Sequence, residues 1–371
     1  MNKRFCVLLG IAILGVVISH AVGYGEIAMF YWPHRYRDVI SPNFDKLGSL
    51  NYYLIYIIRQ IVSFSVAAFL FVSGYFVSFA GRSIKKLSWG FVKHRIINLL
   101  IPYIIWSFVW LIFYFILGDP IPIGAFVKLF FTKGITNSYF YVPLLCSLYL
   151  LSPFLLLFAK KNLRSFLYVC FLLPAGLLSF RYLSLFIQAP WVEWGVKLMP
   201  DYIFYRWIFY FGMGIAVGLN LEKFKDFLAR HQNKLLVCTP FFLILVLIEP
   251  EVIYRATALQ VSWKTTPFPY SGMLYAVSAI FLFLSYPIDT HKNKAAKFLW
   301  NLGNKSYAIY LMHFLFITIT SKMVYHLLPG LLALVWPFVL LVFTAGLGGP
   351  LLVMFLVKKT PLRKFYRYLF G

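Results

Sequence analysis

Two histidines and two arginines, His20, His313, Arg59 and Arg206, stand inside stretches whose neighbours are almost all apolar. An ionisable side chain at membrane depth costs about 2.5–3.5 kcal/mol on insertion scales, so each is a candidate for function before any other role. A neutral imidazole takes up a proton, and guanidinium groups hold an anion or an oxyanion. Glu193 and Asp201, in the polar gap before Arg206, add carboxylates able to hold an imidazole. Each residue also has a plainer reading. Arg59 and Arg206 lie close to the ends of apolar runs, where long side chains snorkel to the surface, and His20 can bond a backbone carbonyl of a neighbouring helix.

These side chains need helices to hold them at depth. Hydrophobic residues make up 61% of the 371-residue chain and charged residues 12%, more apolar surface than one soluble core can hide. A helix that crosses the hydrocarbon core needs about 20 apolar residues. Ten segments fit: Phe5 to Tyr24, Tyr52 to Ala80, Ile96 to Leu117, Ser138 to Phe158, Leu163 to Phe180, Tyr202 to Leu219, Lys234 to Ile248, Phe268 to Tyr286, Ser306 to Leu328 and Leu331 to Val357. The fold expected is therefore an all-α integral membrane protein, a bundle of about ten transmembrane helices forming a single polytopic domain over residues 1–371. The first segment reads as a retained helix and not as a cleaved leader, since no small-residue cleavage site follows it. With a rise of about 1.5 Å per residue, His20 falls roughly 22 Å into the first segment, towards its outer end, and His313 falls near mid-depth. Arg59 and Arg206, in the first turns of segments entering from outside, share the outer level with His20.

The net charge of +24 raises the question of nucleic acid, but the charges sit in short gaps between apolar runs and form no continuous basic face. Alternate gaps hold 23 of the 35 Lys and Arg residues. The positive-inside rule then places both termini in the cytoplasm of a cell whose inner, or plasma, membrane the chain spans several times. Lys93, His94 and Arg95 precede the third segment, where a helix N-terminus favours phosphate; they suit a phosphate-bearing cofactor, or serve only as a topology signal. Cys6, Cys146, Cys170 and Cys238 lie in or beside apolar runs without CxxC or CxxH spacing, so packed thiols are expected and no metal site.

Several stretches resemble, in order and spacing, the acyltransferase-3 family of bacterial membrane O-acyltransferases. Gly10 to His20 (GIAILGVVISH) is similar to that family's first helix, which ends on its catalytic histidine. Phe69 to Phe76 (FLFVSGYF) resembles the second, and Phe91 to Ser107 (FVKHRIINLLIPYIIWS) the basic approach and PYxxWS stretch of the third. Tyr139 to Tyr149, Phe209 to Gly214 and Asn304 to His313 (NKSYAIYLMH) resemble later helices. One position departs: Leu9 stands where the family carries Arg or Lys ahead of the histidine, and Arg4 is the nearest basic residue.

The resemblance implies transfer of an acyl group, most often acetyl, from cytoplasmic acyl-CoA (acetyl-CoA) to a hydroxyl of an extracytoplasmic glycan or glycolipid. It makes His20 the catalytic residue, expected to act as general base, and Arg95 an acyl-CoA contact, to which Lys93 at the same helix N-terminus is added. From their depth and charge, Arg59, Arg206 and Asp201 are the expected contacts for acceptor or transition state together with Tyr141, with His313 and Glu193 as further candidates. The expected partners are membrane lipid, the glycan or glycolipid acceptor and acyl-CoA. A membrane transporter or flippase for a lipid or sugar is the competing reading, with Arg59, Arg206 and His313 along its path; the paired broken helices common in transporters are not evident in the sequence.

Overall fold

The computed structural model describes residues 2–32, 48–82, 87–136, 138–198, 200, 202–257, 270–288 and 293–371. Its elements are helices: α1 (Asn2–Phe30), α2 (Leu50–Ile61), α3 (Ser65–Gly81), α4 (Trp89–Ile116), α5 (Ile123–Phe131), α6 (Tyr141–Lys161), α7 (Leu163–Leu183), α8 (Pro190–Lys197), α9 (Phe204–Leu219), α10 (Leu221–Ala256), α11 (Tyr270–Ser285), α12 (Lys294–Gly303), α13 (Ser306–Leu327), α14 (Val335–Lys359) and α15 (Tyr366–Phe370). Among the described residues each of the ten apolar segments is largely helical, the second as two helices, α2 and α3. Among the described residues, eight helical stretches are long and apolar enough to cross a membrane, α2 and α3 counting together as one. The other two segments form α9 and α11, of 16 residues each, shorter than the roughly 20 that a span needs. The end of the bundle that carries the basic gaps is called its inner end, after the orientation expected from charge.

The second apolar run looks continuous in sequence, yet its helix breaks between α2 and α3. The Val62 and Ser63 N–H groups close the last turn of α2 on Ile58 and Gln60, and the Ser65 hydroxyl donates to the Val62 carbonyl at 2.6 Å. Serines bonding their own backbone in this way compete with the helical ladder. Gly15 of α1 fits against the break, where a Cβ would lie 2.2 Å from Ser65 Oγ.

Close backbone approaches hold the bundle. A Cβ on Gly74 of α3 would meet the Phe211 carbonyl of α9 at 2.0 Å, and one on Gly214 would meet the Phe71 carbonyl at 1.9 Å. Glycine allows the two backbones to touch, which is how helices gain packing energy where lipid removes the hydrophobic drive. Gly10 of α1 and Gly303 of α12 make the same kind of approach, to the carbonyls of Leu299 and Cys6. The first turns of α1 are thereby fixed against α12, so α1 starts below the point where α13 starts.

The seventh segment, Lys234 to Ile248, is the middle of a much longer helix. With 36 residues, α10 measures about 54 Å and carries its polar first turns beyond the inner end, with Lys225 paired to Glu222 at 2.9 Å. Near its other end Glu249 accepts from the N–H groups of Tyr270 at 3.2 Å and Ser271 at 3.1 Å, and from the hydroxyls of Tyr182 and Ser271. A carboxylate from α10 thus satisfies the opening donors of α11.

Candidate active site

A cavity of about 360 Å³ lies among α1, α3, α4, α6 and α13, a volume within the range of small-molecule sites. On α1 its wall runs from Leu9 to His20, roughly 16 Å of helix. Arg95 and Leu99 of α4 and Ser306 and Tyr307 of α13 line it as well. Much of the remaining wall is apolar, with Val16, Val66, Phe69, Val72 and Phe76, but hydroxyls interrupt it at Ser19, Ser63, Ser65, Ser73, Tyr141 and Tyr149. Tyr141 and Tyr149, about two turns apart on α6, both face the Ser73 hydroxyl. One space therefore holds His20 and Arg95, with polar groups between them.

His20 keeps some accessible surface although it sits deep in the bundle, because it forms part of the cavity wall. Its ring centroid lies 5.2 Å from that of His313, and Phe314 packs edge-on at 5.1 Å. The two histidines are neighbours at one level, whereas counting residues from the sequence separates them in depth. The difference comes from α1, whose first turns are spent against α12. His313 is fully buried, with Nδ1 at 2.6 Å from the Tyr310 carbonyl and 3.2 Å from that of Ile309.

Arg59 pairs with Glu26 of α1 at 2.9 Å, and the Glu26 side chain is only 4% exposed. Its charge acts on His20. Arg95, at the other end of the cavity, lies with its guanidinium carbon 5.2 Å from the centre of the Phe91 ring, a cation–π contact that holds the head group near the wall. Ser88 caps α4 by accepting from the Phe91 N–H at 3.2 Å.

The acyltransferase-3 family model, described as an acyltransferase domain, matches residues 7–355, nearly the whole chain. The chain belongs to the acyltransferase-3 family. It is also similar to proteins of Staphylococcus aureus strains MSSA476, MW2 and N315, each named a probable poly-beta-1,6-N-acetyl-D-glucosamine export protein. In each case the identity is 24% over 263 residues, covering 69% of this chain and 69% of the relative. No solved structure matches the chain.

The remaining candidate residues from the sequence spread over several places. Tyr141 lines the cavity, as do His20 and Arg95. Lys93 is exposed, two residues before Arg95 on α4, and is not among the lining residues. Arg206 lies in the first turn of α9 beside Arg181 and Tyr210 and is not among the lining residues. Glu193 is exposed in the first turn of α8, and Asp201 lies outside the described residues. Leu9 faces the cavity at the level where the family carries a cation, and Arg4 does not replace it: its Nη1 donates to the Leu284 carbonyl at 2.9 Å, on the side of a separate pocket.

Sequence reasoning missed two groups. Glu26 falls beyond a first segment that ends at Tyr24, yet the residues after it, Ile27 to Phe30, are apolar and continue the helix. That continuation was the available signal. The helix break gave none, since no Pro or Gly marks it. It sets the start of α3, where Phe64 supplies no side-chain cap, against the cavity through Val62, Ser63 and Ser65.

Proposed function

We propose that this acyltransferase moves an acyl group, taken as acetyl, from cytoplasmic acyl-CoA to a hydroxyl of an extracytoplasmic glycan or glycolipid, with His20 as general base. One observation carries the reading: a single cavity contains both His20 and Arg95. The acceptor hydroxyl bonds to a ring nitrogen of His20. As its oxygen attacks the thioester carbonyl, His20 takes the proton; the C–S bond then breaks and the proton passes to the departing sulfur, giving the ester and free CoA thiol. The Ser63 hydroxyl, which lines the cavity and has no hydrogen-bond partner among the described residues, is the donor offered to the oxyanion. Arg95, with Lys93 beside the mouth, takes the CoA phosphates. This requires the inner end to face the cytoplasm, in line with the charge asymmetry, and takes the membrane to be the plasma membrane of the cell.

Export of a polysaccharide is the second reading. The names of the Staphylococcus aureus relatives favour it, and so does the broken α2–α3 helix beside the cavity, a feature of transporter sites. Labelled acetyl-CoA supplied to inside-out vesicles separates the two. Under the transferase reading, label appears as ester in a glycan or lipid-linked glycan; an exporter moves glycan and leaves the label in acetyl-CoA.

A further inference from the structure

We infer that His313 is a positioning residue for His20: it accepts the N–H of the His20 ring and so leaves the other ring nitrogen of His20 as the lone pair that meets the acceptor hydroxyl. This rests on the reading of His20 as the base.

The backbone around His313 sets its protonation. Its Nδ1 lies 2.6 Å from the Tyr310 carbonyl oxygen and 3.2 Å from that of Ile309. Carbonyl oxygens only accept, so Nδ1 must carry the hydrogen. A neutral imidazole with hydrogen on Nδ1 has a lone pair on Nε2 and can only accept there. No carboxylate pairs with this ring among the described residues, and a lone imidazolium at membrane depth is strongly disfavoured. His313 is fully buried, and its Nε2 has no hydrogen-bond partner among the described residues. The backbone of its own helix thus fixes His313 as an acceptor that lacks a donor.

His20 is the neighbour able to fill that place. A hydrogen bond between two imidazoles puts their centroids about 5 Å apart, roughly 2.9 Å of bond and two ring radii of about 1.1 Å. The observed separation is 5.2 Å with the ring planes at 45°. At that separation the two rings are within reach of such a bond. The order of the groups gives the pair its direction: His20 lines the cavity and His313 does not. Substrate reaches His20 first, with His313 behind it. The arrangement parallels a nucleophile–base–orienter series, with a neutral imidazole in the last place and no carboxylate. As His20 takes the acceptor's proton, its imidazolium keeps donating to His313, while Arg59, whose charge also reaches His20, stays paired with Glu26.

The test is ¹⁵N NMR of histidine-labelled full-length protein in nanodiscs, with the His20 signals identified by their loss in His20→Gln. The expected wild-type result is a single His20 tautomer. His313→Leu should give a mixture of the two, while His313→Gln, whose amide both donates and accepts, should retain one. In acyl transfer, His313→Leu should lower kcat by roughly 10- to 100-fold, the range expected for a misoriented group, with KM for acetyl-CoA unchanged, and His313→Gln should recover most of it. An unchanged His20 tautomer in His313→Leu would overturn the inference, as would equal losses of activity and thermal stability in both variants. Should His313→Leu fail to fold, a mixed His20 tautomer in folded His313→Gln would also overturn it. If His20→Gln transfers acetyl at the normal rate, the base assignment fails by itself, and the tautomer measurement still reports on the pair.

Discussion

Glu26→Gln isolates an electrostatic effect on the reaction. The amide keeps the shape of the side chain and its bond to Arg59 but removes a negative charge 2.9 Å from the guanidinium. Glu26 is six residues beyond His20 on α1, an axial distance of about 9 Å. At that separation, and with an effective dielectric constant of about 20, one unit charge is worth about 1.8 kcal/mol. Losing the carboxylate leaves the Arg59 charge uncompensated, which opposes the imidazolium that forms as His20 takes the proton. The expected fall in kcat is roughly twentyfold. Stability falls as well. Breaking a fully buried pair costs about 3–5 kcal/mol, but the Arg59 side chain is 30% exposed, so about 1–2 kcal/mol is the better figure here. The assay is acetyl transfer in inside-out vesicles, normalised to folded protein by thermal unfolding in detergent. Removing both charges in Glu26→Gln/Arg59→Gln should return kcat to near the wild-type rate. A single variant within twofold of wild type would refute the reasoning, and a double variant as slow as the single would make Arg59 an acceptor contact instead.

Arg95→Ala should weaken acyl-CoA binding roughly tenfold, the loss of one charge-assisted contact, with acceptor binding unchanged; normal affinity in equilibrium binding to nanodiscs would return the Lys93–Arg95 cluster to a topology signal. Reporter fusions after Leu87 and Phe370 should both read cytoplasm and one at Pro42, outside the described residues, the exterior; the same side at Pro42 and Leu87 would overturn the orientation. Gly214→Leu places a side chain where even a Cβ lies 1.9 Å from the Phe71 carbonyl, so the α3–α9 contact must open; overpacking of about 1–3 kcal/mol or more should appear as lost folded yield in fluorescence-detected size exclusion, and normal yield would mean the two helices separate freely.

The helices were the legible part of this chain, because lipid imposes one rule, apolar runs of sufficient length, and the runs mark themselves. Position along the membrane normal was less so. Counting from Phe5 set His20 towards the outer end, since nothing local in α1 announces that Gly10 and Gly303 tie its first turns to α12. The break at Val62 to Phe64 was hidden for a related reason: the Ser65 hydroxyl bonds its own backbone there, and serine in an apolar run is equally at home in an unbroken helix. Of the candidate site, His20, Arg95 and Tyr141 were readable as residues, and the cavity brings them together. Arg59 was readable too, but not its partner Glu26, which a span cut at Tyr24 leaves outside. Arg206 and Glu193 were singled out for charge and depth alone, and neither criterion reports which helix face meets which cavity.

The mechanism stands or falls on whether His20 accepts the acceptor's proton during transfer from acyl-CoA. That is decided by following labelled acetyl-CoA in inside-out vesicles carrying wild-type protein or His20→Gln, with acetyl-CoA binding measured on the same preparations. Glutamine retains a hydrogen bond but cannot take up a proton at neutral pH. With His20 as the base, His20→Gln should bind acetyl-CoA normally and transfer acetyl at least about 10²-fold more slowly, the lower bound for a general base. Transfer within a few-fold of wild type would contradict that role and move polysaccharide export to first place.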